Sequence, residues 1–274
     1  MPIIELTDCN APEAAPYFHL TDAQMRSRQE PEKGIFIAEG PKVIHTALDH
    51  AYEPQSILMR RKFLDGLGSE ILARCSCPVF TADDDVLEAI TGFRLQRSWV
   101  LSAMKRPKPC SPEQVLKNAR CIAVLEGITE PSNLGAIFRS AAALGADAIL
   151  LSPNCCDPFH RRAVRVSMGS IFILPWAQMT NFSDYALLSQ YGFTTIGLAL
   201  KPESIPLDDP KLRHLSKVAL FLGTEDTGLS PLALDACDHL AIIPMAAGID
   251  SLNVAAASAI AFWQFRNPTG NEAL

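Results

Sequence analysis

Long apolar runs are missing from this chain of 274 residues. The longest candidate, residues 254–263, contains Ser258 and falls well short of the roughly 18 residues that a membrane span requires. Residues 1–20 lack a basic segment followed by an apolar core, which argues against a secretory leader. Cysteine is sparse: eight residues are spread along the chain, with close pairs at Cys75-x-Cys77 and Cys155-Cys156. That density is too low for a disulfide scaffold, so the thiols are expected to be reduced, in a cytoplasm. Positive charge is in deficit, with 24 Lys and Arg against 30 Asp and Glu and a net charge of −6. A module that grips nucleic acid by bulk charge is therefore excluded, and any such role must rest on local clusters. Three exist: Arg60-Arg61-Lys62, Lys105-Arg106-x-Lys108, and Arg161-Arg162 with Arg165. Taken singly, each reads more readily as a solvated face.

Several catalytic signatures are also missing. There is no G-x-S-x-G elbow, no G-x-x-x-x-G-K-[ST] loop, and no G-x-G-x-x-G after the first strand of the second half. The six histidines form no H-x-x-x-H and the cysteines no C-x-x-C, so no metal is expected. Serine hydrolases, P-loop NTPases, ordinary dinucleotide enzymes and zinc enzymes all lose ground.

The composition that remains is that of a globular protein, 48% hydrophobic and 20% charged. Residues 1–20, with three prolines and little periodicity, read as a loosely ordered arm. Residues 21–108 read as a small mixed α/β domain. Strands are expected at 33–38, 56–59, 78–80 and 98–104, and helices at 41–50 and 83–90. Residues 105–112 hold three prolines in eight positions, a stiff, extended composition that suits a boundary. Residues 109–274 then alternate. Strands at 121–125, 148–151, 194–200, 218–222 and 241–244 are nearly continuous apolar runs, and helices are expected at 134–144, 182–190 and 253–265. Gly145 stands as a stop after the first of these helices. This rhythm predicts a parallel sheet covered on both faces.

Three polar, glycine-bearing loops each follow a predicted strand. In an open parallel sheet that edge is where ligands bind. The first runs from Gly127 through Asn133 and Gly135 to Arg139, the second holds Gly223, Glu225 and Gly228, and the third holds Ile243, Pro244, Met245, Ser251, Leu252 and Asn253. Each has a plainer reading: Asn133 and Ser251 as helix caps, Glu225 as a turn residue, Arg139 as a surface charge. Three such loops at equivalent strand ends are harder to dismiss together, since a fold needs no polar convergence there.

These loops resemble, in order and spacing, the three motifs of the SpoU (TrmH-type) RNA ribose 2′-O-methyltransferases, members of the SPOUT class. The N-x-G-x-x-x-R element is met by Asn133, Gly135 and Arg139, and the G-x-E-x-x-G element by Gly223, Glu225 and Gly228. The I-P-M…S-L-N-V element is met by Ile243, Pro244, Met245, Ser251, Leu252, Asn253 and Val254. Asp250 and Ala255 stand where the family often has Glu and Ser. The resemblance covers about residues 118–267. A weaker one covers residues 33–42, where Gly34, Phe36, Glu39 and Gly40 match the G-x-F-x-x-E-G signature of an L30e-like substrate-binding domain.

The resemblance implies an α/β fold whose C-terminal SPOUT domain, at 109–274, is a parallel sheet tied in a deep trefoil knot. An L30e-like α/β RNA substrate-binding domain precedes it at 21–108. It implies S-adenosyl-L-methionine as cofactor, with Leu200, Gly223, Ile243 and Leu252 in its pocket. It further implies catalytic roles for Asn133, Arg139, Glu225, Ser251 and Asn253. Arg139 acts either as base or as electrostatic stabiliser, and a guanidinium is essentially always charged in proteins. The partners implied are RNA, with rRNA favoured over tRNA, and a second copy of the chain in a homodimer that helps complete the site. The basic clusters would then contact structured RNA. Two competing readings are a non-catalytic RNA-binding protein that retains the fold and a small-molecule enzyme using a nucleotide cofactor at the same sheet edge.

Overall fold

The structure is a computed structural model that describes residues 1–20, 32–66, 68–94, 100–224, 226–246 and 251–266. The chain forms two compact units. One comprises Met1–Lys108 with Asp157–Ile173, the other Pro109–Cys156 with Leu174–Leu274.

In chain order, the first unit holds β1 (Ile3–Glu5), β2 (Ile35–Glu39), α1 (Pro41–Asp49), β3 (Pro54–Arg60), α2 (Ser69–Leu72), β4 (Val79–Ala82), α3 (Asp84–Thr91) and β5 (Val100–Lys105). The second unit begins with α4 (Pro112–Leu116), β6 (Cys121–Leu125), α5 (Pro131–Ala143) and β7 (Ala148–Leu151). The chain then returns to the first unit for α6 (Arg161–Val166) and α7 (Ser170–Ile173). It finishes in the second unit with β8 (Trp176–Gln178), α8 (Ala186–Gln190), β9 (Thr194–Leu198), β10 (Ile205–Pro206), β11 (Val218–Leu222), α9 (Pro231–Asp235), β12 (His239–Ile242) and α10 (Val254–Phe265).

The first unit carries a mixed five-stranded sheet of order β1-β4-β3-β5-β2. Its first three neighbours run parallel, and β5 runs antiparallel to both β3 and β2. Residues 1–20 are not a loose arm. β1 pairs with β4 through Ile3 and Val79, and Leu6, Ala14, Tyr17 and Leu20 are buried. The Tyr17 hydroxyl lies 2.8 Å from the Ser56 hydroxyl and accepts a hydrogen bond from the Ala103 amide at 3.2 Å. One of the prolines that suggested looseness, Pro12, opens a 3-10 turn over Pro12–Tyr17, at a position where a missing amide costs little.

The returning segment is held within this unit by both charge and rings. The buried Glu39 carboxylate accepts from Arg161 Nη1 at 2.6 Å and from Arg165 Nη1 at 3.1 Å. Phe159 stacks on the fully buried Phe36 with centroids 4.6 Å apart, and Phe172 approaches the same ring at 5.6 Å. All three basic clusters hold internal ion pairs: Lys105 Nζ lies 3.1 Å from Glu53 Oε2, and Arg106 pairs with Asp157. Arg61 pairs with Glu5, Arg60 Nε lies 2.6 Å from Asp84 Oδ1, and Arg161 and Arg165 share Glu39.

The second unit carries a seven-stranded sheet of order β10-β12-β9-β11-β6-β7-β8, and all its pairs are parallel. Its central strands are apolar because both faces are covered: every residue of β7 and β11 is buried. From β6 the chain steps outward through β7 to β8, then crosses to the far side for β9 and β10. The later strands enter between earlier ones, β11 between β6 and β9, and β12 between β9 and β10. The order reverses at β6 and β11, the kind of point where open α/β sheets bind ligands.

Three boundaries differ from expectation at the ligand edge, the first being that of β9, which ends at Leu198 and not at residue 200. α5 starts at Pro131, not residue 134, so Asn133 lies in its first turn. The cap is Glu130, whose carboxylate accepts from the Ser132 amide at 3.3 Å. Proline at the first helical position, whose missing amide would have been unpaired anyway, explains the earlier start. β12 ends at Ile242, which releases Ile243 and its successors from the sheet.

Candidate active site

The C-terminal ends of β9, β11 and β12 enclose a cavity of about 220 Å³. Leu200, Gly223, Ile243 and Leu252, anticipated as a cofactor pocket, all line it, together with Ser251 and Met245. Two apolar side chains at this cavity are open to solvent, Leu200 at 65% and Leu252 at 40% exposure. Apolar surface gathered around a concavity marks a place where a ligand with a flat, weakly polar body is bound. Gly223 admits no side chain: a Cβ there would stand 2.3 Å from the carbonyl carbon and oxygen of Gly228. The backbone can thus form a wall directly against a ligand. Thr224 and Gly228 exchange two backbone hydrogen bonds of 3.1 Å and fix that wall. These features fit the adenosine portion of a nucleoside-bearing methyl donor.

Beside the cavity the first and third loops are joined. Asn253 caps α10, its Oδ1 accepting from the Ala255 amide at 3.0 Å, and its Nδ2 donates to Asn133 Oδ1 at 3.1 Å. The packing of α10 along α5 brings these two asparagines together across 120 residues of sequence. Ser251 sits on the cavity wall. Arg139 is exposed on α5 and is not among the residues that line the cavity. Six positions after Asn133, it points about 120° away around the helix axis. Among the described residues it makes no side-chain ion pair or hydrogen bond. Glu225, expected as a catalytic residue, lies outside the described residues.

A carboxylate that sequence reasoning passed over supports the same edge. Glu126, immediately after β6, is buried. It accepts from the Ser230 amide at 2.8 Å, from the Ser230 hydroxyl at 2.7 Å and from the Tyr185 hydroxyl at 3.3 Å. Burial, and then the neighbouring Glu126 charge, push the Tyr185 hydroxyl well above the ordinary tyrosine range. The signal available in the sequence was an acid at the end of an otherwise apolar strand. Cys155 is a structural thiol: it donates to the Leu125 carbonyl at 3.2 Å, and burial pushes its ionisation up. Among the described residues no group of His, Cys, Asp and Glu is placed to hold a metal ion. Among the described residues no helix is long and apolar enough to cross a membrane.

Comparison with known proteins agrees with this geometry. The SpoU rRNA methylase family profile matches residues 120–263. An uncharacterised tRNA/rRNA methyltransferase of Mycobacterium tuberculosis is 37% identical over 235 residues, covering 85% of this chain and 81% of its own length. A 23S rRNA (guanosine-2′-O-)-methyltransferase of Acinetobacter baylyi is 31% identical over 191 residues, covering 67% of this chain and 75% of its own. Among solved structures, an AdoMet-bound rRNA methyltransferase from Sinorhizobium meliloti superimposes with a TM-score of 0.80 at 26% identity, over 96% of this chain and 97% of that one. The chain belongs to the SpoU rRNA methylase family and is an RNA methyltransferase whose methyl donor is S-adenosylmethionine.

Proposed function

We propose that this protein methylates a ribose 2′-hydroxyl of ribosomal RNA, on a guanosine, in the cytoplasm. The observation that carries the reading is the junction of the first and third loops, Asn133 to Asn253 at 3.1 Å, beside a cavity whose wall includes Ser251. The name of the Acinetobacter baylyi relative supports the choice of ribosomal guanosine.

Leu200, Gly223, Ile243 and Leu252 hold the adenosine of the donor. When bound, S-adenosylmethionine supplies an electrophilic sulfonium methyl, which leaves orientation and charge control to the protein. The paired amides of Asn133 and Asn253 position the ribose, and Ser251 holds the cavity wall to which they attach. Arg139 stabilises the oxyanion that develops as the 2′-hydroxyl passes its proton to solvent water, while Glu225 orients the second loop. A second copy of the chain brings Arg139 to a cavity. Support for this comes from Ile260 and Trp263, large apolar residues exposed on α10, the helix packed along α5. The insertion of β11 and β12 between earlier strands supports a knotted chain. The first unit, residues 1–108 with 157–173, serves as an L30e-like RNA substrate-binding domain.

The test is tritiated methyl transfer to total RNA from a strain lacking the protein, followed by mapping of the labelled ribose. Label is expected at a guanosine 2′-oxygen of ribosomal RNA. Arg139→Ala is expected to lower the rate about a hundredfold or more while donor affinity persists. Label in tRNA, or an Arg139→Ala protein at the wild-type rate, overturns the corresponding part. Light scattering that finds a monomer at micromolar concentration removes the second copy.

A further inference from the structure

A second cavity, of about 520 Å³, opens at the C-terminal ends of β6, β7, β8 and β11. Its lining includes Gly127, Asn154, Phe182, Thr227 and Leu232, and it shares Thr224 and Gly228 with the donor cavity. The backbone pairing of those two residues is therefore the common wall of two adjacent concavities. A group transfer between two bound molecules requires such a placement, since the reacting atoms must approach to within roughly 3–3.5 Å.

We infer that this cavity seats the base of the nucleotide that receives the methyl group. The inference rests on the RNA methyltransferase reading and adds to it where the target base lies and which residues read it.

The chemistry of the lining selects a base over a phosphate. Among the described residues neither Lys nor Arg lines the cavity, and the one charged side chain in the wall is the buried Glu126 carboxylate. An anionic phosphate would meet like charge and no counter-charge. A neutral, flat heterocycle meets what it needs. The Phe182 ring and the Leu232 side chain, exposed at 53%, supply apolar faces, the form in which splayed-out RNA bases are held. The Asn154 side-chain oxygen already accepts from the Ser152 hydroxyl, which leaves its two N–H groups as donors toward base carbonyl or ring-nitrogen acceptors. The hydroxyls of Thr224 and Thr227 lie 2.8 Å apart and retain acceptor capacity for a base amino group. Gly127 keeps the floor open: a Cβ there would stand 2.8 Å from Thr224 Cγ2 and 3.3 Å from Asn154 Nδ2. The volume lies within the range of pockets that take small organic ligands.

The test uses the full chain in two arms. In the first, Leu232→Trp fills the cavity mouth from an exposed position, and Asn154→Ala removes the donors. Each is expected to raise KM for total ribosomal RNA from the deletion strain about tenfold, with affinity for S-adenosylmethionine by calorimetry within about twofold of wild type. In the second, saturation-transfer NMR is run with nucleoside 5′-monophosphates while S-adenosylhomocysteine saturates the donor cavity. Transfer to base protons is expected, and its loss in Leu232→Trp. Wild-type KM in both variants, or nucleotide signals that Leu232→Trp leaves unchanged, overturns the assignment. A wild-type protein that methylates no RNA overturns the activity instead, and the NMR arm then decides whether the cavity binds a base.

Discussion

Each unit buries one glutamate among its described residues, and the two are placed alike. Glu39 is the last residue of β2 and precedes Gly40, while Glu126 follows β6 and precedes Gly127. Both fasten a remote segment, 122 residues away for Arg161 and 104 for Ser230. The partners differ in kind. Glu39 meets two guanidinium groups, so its charge is neutralised and the result is a lock. Glu126 meets an amide and two hydroxyls, so its charge is solvated by neutral donors and persists at the edge where ligands bind. The same side chain in the same local setting thus serves cohesion in one unit and the electrostatics of a ligand edge in the other.

The largest expected effect is on the lock. Glu39→Ala leaves Arg161 and Arg165 facing a vacated buried site and should destabilise the first unit by roughly 3–5 kcal/mol. Thermal unfolding followed by domain-resolved hydrogen exchange checks this, with donor affinity by calorimetry expected to stay within about twofold. A uniform loss across both units would break the contrast. Glu126→Gln removes the charge and keeps the shape, at a cost of about 1–3 kcal/mol because one donor pair then faces another. Its sharper readout is Tyr185, which should ionise at lower pH in ultraviolet titration once the adjacent negative charge is gone. An unchanged tyrosine titration would refute the assigned field.

A third effect is a pH slope in the second unit. Burial pushes the thiols of Cys121 and Cys237 from an ordinary value near 9 to about 12. Below pH 9 both the folded and unfolded chains hold these protons, and the contribution is fully present. As pH rises from 9 toward 12 the unfolded chain releases them first, so stability falls. Urea midpoints between pH 8 and 10.5 should decline, and less steeply in Cys121→Ala. A slope that Cys121→Ala leaves unchanged would remove the thiol from the explanation.

Local pattern made part of this molecule legible and left the rest hidden. β6, β7, β9 and β11 were readable because strands covered on both faces are continuous apolar runs. The cavity residues Leu200, Gly223, Ile243 and Leu252 were readable through the family resemblance, which compensates for their spacing over some 50 positions of sequence. Residues 161–173 were not. Arg161, Arg162 and Arg165 resemble a solvated basic patch until Glu39 is brought alongside, and no local periodicity encodes a partner 122 residues away. The first 20 residues failed for the same reason, since their order comes from pairing Ile3 with Val79. Local pattern offered only a cap for Asn133, and the family resemblance alone pointed to the site, because its partner Asn253 lies 120 residues away; Glu126 was overlooked because its meaning lies in Ser230 and Tyr185.

The excursion of residues 157–173 bears on how this architecture is inherited and dissected. No single cut separates the two halves, because a polypeptide starting at Pro109 would still carry Phe159, Val164 and Phe172 stripped of the surroundings that bury them. Such a fragment is a poor reporter of the isolated second unit, prone to stick to itself through those orphaned rings. Evolution faces the same constraint: the front half can be exchanged for another only together with this internal loop, so recombination of whole modules must involve three junctions instead of one.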